Sequence, residues 1–370
     1  MINVNEFPTK NTTKSVTPKP AFTNITKTDL LMFTRELRTV LESGLDIISG
    51  LFLMSQQTQK KEFNSIINKI VTNLSSGTYL SQSLSEFPWL FDNIYRGSIR
   101  AGEYNGNICK SLANLEHLLE KEISMKRKLS QALIYPSTAL TICIVFTFIT
   151  FKFLLPNLIE FLNATGNTLP LPTQILILIT NIISYPLTVP LIIIACIIMA
   201  LLFKSYTSMA SGRYAFHLFL LSMPIIGTLM KKIAYINITN SLSSCLDTGL
   251  SLIRSVKLAG AACGNAVFEQ NFNLAIEGIN EGIPLSDFIK KNQMLYGKVF
   301  ASMLLIGEES GSIPEISKKL SNLYEIDVDN ALASVSVIIE PFLIAITGSI
   351  IGFVMLGVFL PLYQTISNLG

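Results

Sequence analysis

The chain has little of what reactive sites are built from. It contains two histidines and one tryptophan in 370 residues, and only 14% of its residues are charged. Neither His117 nor His217 has a cysteine or carboxylate at ligand spacing, which argues against a metal centre. Five cysteines (Cys109, Cys143, Cys196, Cys245, Cys263) stand singly with no Cys-x-x-Cys pair, so neither a disulfide framework nor a zinc site is expected. There is no Gly-x-x-x-x-Gly-Lys-Ser/Thr loop. Gly260-Ala-Ala-Cys-Gly264 lacks both the lysine and the hydroxyl, and reads as a helix-packing or turn segment. No nucleophile–base pair is visible, so no catalytic residues, no ATP hydrolysis and no cofactor are expected. A net charge of +3 does not point to nucleic acid. Residues 1–26 are rich in Asn, Thr, Lys and Pro with no secretory apolar core, and read as a disordered cytoplasmic arm.

One further absence organises the chain. All 28 Lys and Arg lie in 1–152 or 204–341, with none in 153–203 and none beyond Pro341. Apolar residues make up 49% of the chain, and the mean hydropathy is +0.48. That is too apolar for a soluble protein and too polar for a many-span transporter. Three stretches read as transmembrane helices. The first, 137–157, lies between Pro136 and Pro156. Its Ser137–Leu155 run gives about 19 helical residues, roughly 28 Å, enough for a hydrocarbon core. The second is 173–203, kinked at Pro186 and Pro190, with its spanning core at 187–203. Its first part, 174–185, reads either as interfacial or as part of the same span. The third is 337–361, ending at Pro361. Lys126-Arg127-Lys128 precede the first span, and Lys204 and Arg213 follow the second, so the positive-inside rule places both polar regions in the cytoplasm. The N-terminus is then cytoplasmic, and the 158–172 loop and the 362–370 tail are extracytoplasmic.

What is present is a repeat. Residues 33–156 align without a gap on 238–361, at a constant offset of 205. Gly44 falls on Gly249, Gly77 on Gly282, Gly102-Glu103 on Gly307-Glu308, Gly106 on Gly311, Pro136 on Pro341 and Pro156 on Pro361. This is far longer than a solenoid unit. A whole module is used twice, and each copy ends in its own apolar run. Two parallel copies need one returning span between them, which again gives three. The polar parts, 27–136 and 204–336, read as homologous all-α bundles of about six helices each. Gly44 and Gly249 are expected to end helices in the left-handed conformation, followed by Asp46 and Ser251 as N-caps. The same logic is read at Gly77 and Gly282, each followed by a capping-type serine, and at Gly102 and Gly307. Ser312-Ile-Pro-Glu315 reads as a capping box. The helix from about Ile108 is expected to run close to, or straight into, the first span.

The GEYNG segment (Gly102–Gly106) and the GEESG segment (Gly307–Gly311, with Glu309) each precede a long helix, and Tyr135-Pro136 and Glu340-Pro341 open the outgoing spans. The loop from Pro156 carries Phe161, Gly166, Leu169, Pro170 and Thr173, and Pro224-Ile-Ile-Gly227 precedes the second copy. In this order, over about Phe33 to Gly370, the chain resembles the inner-membrane platform family of type II secretion systems and type IV pili, the secretion protein F family. It departs from the pattern at Tyr104-Asn105, against Glu309-Ser310 in the second copy, and at Lys152 inside the first span.

The resemblance implies a platform in the bacterial inner membrane for pilus assembly or type II secretion. It implies as partners a cytoplasmic hexameric ATPase, pilin or pseudopilin subunits, other inner-membrane assembly components and further copies of the chain, alongside the lipid bilayer. Under it, Gly102-Glu103 and Gly307-Glu308 are candidate ATPase contacts, and Gly106, Glu309 and Gly311, with Glu340, Pro341 and Lys152, are further candidate partner or coupling residues. The alternative for Gly-Glu is that Gly ends one helix and Glu favours the start of the next through its dipole. Glu340, beside Pro341, either meets a cationic group on a subunit or is hydrated at the headgroups. Lys152 either pairs with an acidic group or snorkels to the interface. A second reading is an oligomeric transporter or channel component, for which three spans holding only Lys152 and Glu340 are poor material.

Overall fold

The computed structural model describes residues 24–156, 159–160, 171–185 and 187–369, and every regular element among them is helical. The arm up to residue 23 and Phe161, Gly166, Leu169 and Pro170 of the expected loop lie outside the described residues. The first copy folds as α1 (Lys27–Glu42), α2 (Ile47–Gln57), α3 (Lys61–Ser75), α4 (Leu80–Leu84), α5 (Asn93–Tyr104) and α6 (Ile108–Ile149), closed by a π turn, Thr150–Leu154. Then come α7 (Leu171–Ser184), α8 (Thr188–Ser208) and α9 (Ala210–Ser222). The second copy is α10 (Pro224–Asp247), α11 (Leu252–Ala262), α12 (Ala266–Asn280), α13 (Leu285–Lys291), α14 (Gln293–Glu309) and α15 (Ile313–Leu369). Helices α11, α12, α13 and α15 each begin 205 residues after α2, α3, α4 and α6. The offset read in the sequence is therefore the register of the folded elements.

The chain divides into two compact units. One takes the residues up to Met125 together with Met223–Ile326; the other takes Lys126–Ser222 and Asp327 onward. The first unit therefore holds the short helices of both copies.

Its local structure follows from caps and periodicity. Thr26 and Asp29 form a reciprocal capping box at the start of α1. Leu30, Phe33, Thr34 and Leu37, spaced three and four apart, give that helix its buried face. Phe33 meets Phe63 at 5.5 Å and Phe91 at 6.0 Å. The core of the first copy takes in Cys245 and Leu250 of the second. Burial, with the Asp92 charge adding to it, pushes the Cys245 thiol up to about 12. Tyr235, Phe268, Tyr296, Phe300 and Tyr324 form the aromatic centre of the second copy, with Tyr235 and Tyr324 at 4.9 Å. The copies are braced differently. Arg35 Nε and Arg38 Nε donate to the two oxygens of buried Glu116 at 2.7 and 2.8 Å, tying α1 to α6. The second copy has Asn240, Ser243 and Ser321 at the matching positions.

Gly44, Gly77, Gly249 and Gly282 hold φ between +84° and +87°, which only glycine adopts without strain. Asp46 caps α2 through the Ile48 and Ser49 N–H groups. Ser251 occupies the matching cap position, but its side chain makes no cap bond. The other expected serine caps are corrected. Tyr79 and Pro284 hold the cap positions of α4 and α13, and Ser312 Oγ pairs with Ser310 Oγ at 2.6 Å.

In the second unit, α6 continues past Pro136, and α15 past Pro341 and Pro361, although proline removes one helical hydrogen bond. Lys128 Nζ meets Asp329 Oδ2 at 2.7 Å, joining the two long helices. One helix, Ile108–Phe153, is long and apolar enough to cross a membrane. The pair Ile194–Ser208 and Ala210–Ser222 passes that test only together and is bent by 103°; Leu171–Ile182 and Pro341–Gly357 are shorter apolar segments. The expected three separate spans thus reduce, by length and composition alone, to one clear case among the described residues. The 174–185 stretch belongs to α7, which is separate from α8. It packs with Phe151, Leu155, Phe353 and Val354 through Leu176. Thr173 Oγ1 donates to Gly357 O at 2.7 Å. A Cβ on Gly357 would stand 2.0 Å from Leu176 Cδ1 and 3.5 Å from Pro172 O. Small residues and hydroxyl-to-backbone bonds are how apolar helices approach closely. Gly357→Leu is therefore expected to force α7 and α15 apart, costing about 1–3 kcal/mol. Thermal unfolding in detergent measures this; an unchanged midpoint would contradict the close approach.

Candidate functional site

The two Gly-Glu turns are built alike. Gly102 and Gly307 do not end helices, which corrects the first expectation for them: each lies buried inside α5 or α14. The ends come at Gly106 and Gly311, with φ of +68° and +65°. Gly102 and Gly307 instead let the following helix cross at contact distance. A Cβ on Gly102 would stand 2.5 Å from Ser111 Oγ and 3.1 Å from Ile108 Cα; one on Gly307 would stand 3.2 Å from Ile313 Cα.

The glutamates face inward too. Glu308 accepts from Leu285 N at 2.9 Å with one oxygen and from Ser286 N at 2.8 Å with the other. Glu103 accepts from Ser81 N at 3.2 Å. Each carboxylate therefore satisfies orphan N–H groups at the start of the short helix α13 or α4, twenty-odd residues earlier in the chain. The expectation that Glu favours the start of the next helix is corrected accordingly: the dipole it meets belongs to an earlier helix. The turn is a brace that ties the short helix to the α5–α6 or α14–α15 junction. Glu308 grips with two bonds and Glu103 with one, so the brace is firmer in the second copy.

What the turns present outward differs. Tyr104 is 85% exposed, and Glu309 is exposed at the matching position. Asn105, beside Tyr104, donates from Nδ2 to Thr248 O at 3.0 Å, joining the first copy to the second. The Tyr104-Asn105 departure thus includes a residue that bonds one copy to the other. Sequence reasoning flagged the mismatch but not its use, because the partner is a backbone carbonyl 143 residues away.

The remaining candidates lie in the second unit. Lys152 is exposed on the π turn, with Nζ 5.4 Å from the centre of the Phe148 ring. Its equivalent in the second copy is Gly357, the close-approach glycine, so the copies diverge there as well. Pro136 and Pro156 are half-buried and Pro341 is exposed. Glu340 lies within α15; its side chain, like that of Pro361, is outside the described residues. His117, exposed on α6 within the first unit, sits among Lys121, Lys318, Glu120 and Glu325. Burial, then the two lysines, hold its imidazole below the usual histidine range. No three His, Cys, Asp or Glu side chains cluster as metal ligands among the described residues.

Residues 33–156 and 238–361 each match the family model described as type II secretion system protein F. The chain is 29% identical to the type IV pilus assembly protein PilC of Thermus thermophilus over 341 residues, covering 92% of this chain and 83% of that protein. It is 26% identical to the protein of the same name from Myxococcus xanthus over 350 residues, covering 93% and 82%. Against the type II secretion system protein F of Vibrio cholerae it is 24% identical over 347 residues, covering 92% and 83%.

Proposed function

The chain belongs to the type II secretion system protein F family, and from that membership we propose that it is the inner-membrane platform of a pilus-assembly or secretion machine. The family is non-enzymatic, so its contribution is positional. The observation that carries the reading is continuity: in each copy one helix belongs to the bundle at its start and to the apolar segment at its end. Helix α6 has 42 residues and α15 has 57. A motor acting on the short-helix bundles would then act on the apolar helices without an intervening loop. A cytoplasmic hexameric ATPase supplies the motion, and pilin-like subunits leave the bilayer beside the helices that move. Tyr104 and Glu309 are the outward residues of the two turns, so contact with the motor falls to them rather than to Glu103 and Glu308.

The topology that serves this role has three spans, one each in α6, α8 and α15. The N-terminus is then cytoplasmic and the C-terminal end extracytoplasmic, as the distribution of lysine and arginine favours. Deleting the gene should abolish surface filaments or secretion, and the intact chain should restore them. Alkaline phosphatase fused within 158–172 should be active, and fused after Ser75 or Asn280 inactive. A deletion strain that assembles and secretes like its parent would reject the function. An active fusion after Asn280 would reject the topology alone.

A further inference from the structure

Helix α8 does not run straight on into α9. Its 21 residues rise about 30 Å, the thickness of a hydrocarbon core. The chain then turns by 103°. Met209 leaves α8 in an extended conformation, with its N–H on Tyr206 O. The Arg213 N–H donates to Met209 O at 2.9 Å and opens α9. A Cβ on Gly212 would stand 2.0 Å from Tyr206 O, so glycine is what lets the two helices meet there. Phe203 and Phe216 close the corner edge to face, with ring centres 5.0 Å apart. The turn is thus a built corner rather than a frayed end.

Beyond the corner, α9 is apolar without being buried. Tyr214, Ala215, Leu218 and Phe219 recur at helical spacing on one exposed stripe, with Leu218 49% and Phe219 57% exposed. Phe219 stands one turn past Phe216, so the stripe borders the side that rests on α8. Arg213 and His217 lie one turn apart on the opposite side. Charge is one-sided as well. No Asp or Glu occurs between Glu160 and Asp247, while Lys204 and Arg213 flank the corner.

We propose that α9 lies flat in the headgroup layer of the cytoplasmic leaflet and binds anionic lipid there. The inference rests on the topology above, in which α8 is a span. A helix nearly at right angles to a span lies along the membrane plane. Tyr214, Leu218 and Phe219 then enter the acyl boundary, and Lys204 and Arg213 meet lipid phosphates. The occupant is lipid for two reasons. The stripe continues the apolar surface of α8, whose Phe203 and Tyr206 are exposed just before the corner. The corner also offers cations with no carboxylate in its stretch of sequence.

The test uses the full-length chain in nanodiscs of phosphatidylcholine and phosphatidylglycerol in equal parts, with Trp89→Phe removing the single native tryptophan. If that change lowers the helical signal, Trp89 is kept and its own quenching subtracted. Phe219→Trp reports depth through quenching by lipids brominated at either end of the acyl chain. Strong quenching is expected from bromine near the ester end, and loss of most of it with bromine near the methyl end. Ile198→Trp, midway along α8, should show the reverse. Bromine carried on phosphatidylglycerol should quench Phe219→Trp more than bromine on phosphatidylcholine, and adding Lys204→Gln with Arg213→Gln should abolish the difference. An unquenched Phe219→Trp beside a quenched Ile198→Trp would put α9 in water or against protein, and would overturn the proposal alone. Stronger quenching of Phe219→Trp from the methyl end would make α9 the second half of a broken span and overturn it too. Equal quenching by the two lipids would overturn the preference for anionic lipid. An unquenched Ile198→Trp would remove the span, and the proposal with it.

Discussion

Glu308→Ala should lower the stability of the first unit by about 2 kcal/mol, and Glu103→Ala by about half as much. The carboxylate of Glu308 accepts from two backbone N–H groups at 2.9 and 2.8 Å, whereas Glu103 accepts from one at 3.2 Å. A hydrogen bond to a charged group contributes about 1.5–3 kcal/mol when well sheltered. Both glutamates are half-exposed, which puts the sum near the lower end of that range. Domains are stable by only about 5–15 kcal/mol, so the change is large enough to read from thermal or denaturant unfolding. Glu308→Gln keeps one acceptor and should fall between the two alanine variants. The same measurement separates the brace from partner contact. If Glu308→Ala unfolds like the wild type within about 0.5 kcal/mol but binds the motor more weakly, the residue touches the partner and the brace is wrong.

How much of this could be read from the sequence depends on how local each device is. The 205-residue offset, the all-helical class and the turns at Gly44, Gly77, Gly249 and Gly282 were legible. A left-handed turn selects glycine at a fixed place relative to an apolar helix, and a neighbour in the chain supplies the rest of the signal. Gly102 and Gly307 misled because a glycine needed for close approach has the same letter as one needed for positive φ; only the position of the crossing helix tells them apart. The caps supplied by Glu103 and Glu308 were missed for a related reason. Capping is sought within three or four residues, and here it arrives from the far end of the next helix. Asn105 showed as a difference between the copies, but its acceptor is a carbonyl, and carbonyls carry no sequence signal. Gly357 lay inside an apolar run, where nothing marks the turn of helix that will meet Leu176. The spans were read as apolar length, and folding divided the second of them into α7 and α8.

The central proposal is that α6 and α15, each a single helix, carry motion from the short-helix bundles to the apolar segments. Placing a flexible Gly-Ser segment in α6 between Lys128 and Pro136 breaks that continuity while leaving both flanking parts of the sequence intact. A helix-forming Ala-Glu-Lys insertion of about seven residues, two turns, is the control, because it lengthens α6 and keeps its phase. Filament assembly or secretion in a deletion strain carrying each variant is the measurement, with membrane levels of the protein matched. The account predicts that the flexible insertion abolishes assembly and the helical insertion retains it; assembly that survives the flexible insertion at the parental level would contradict it.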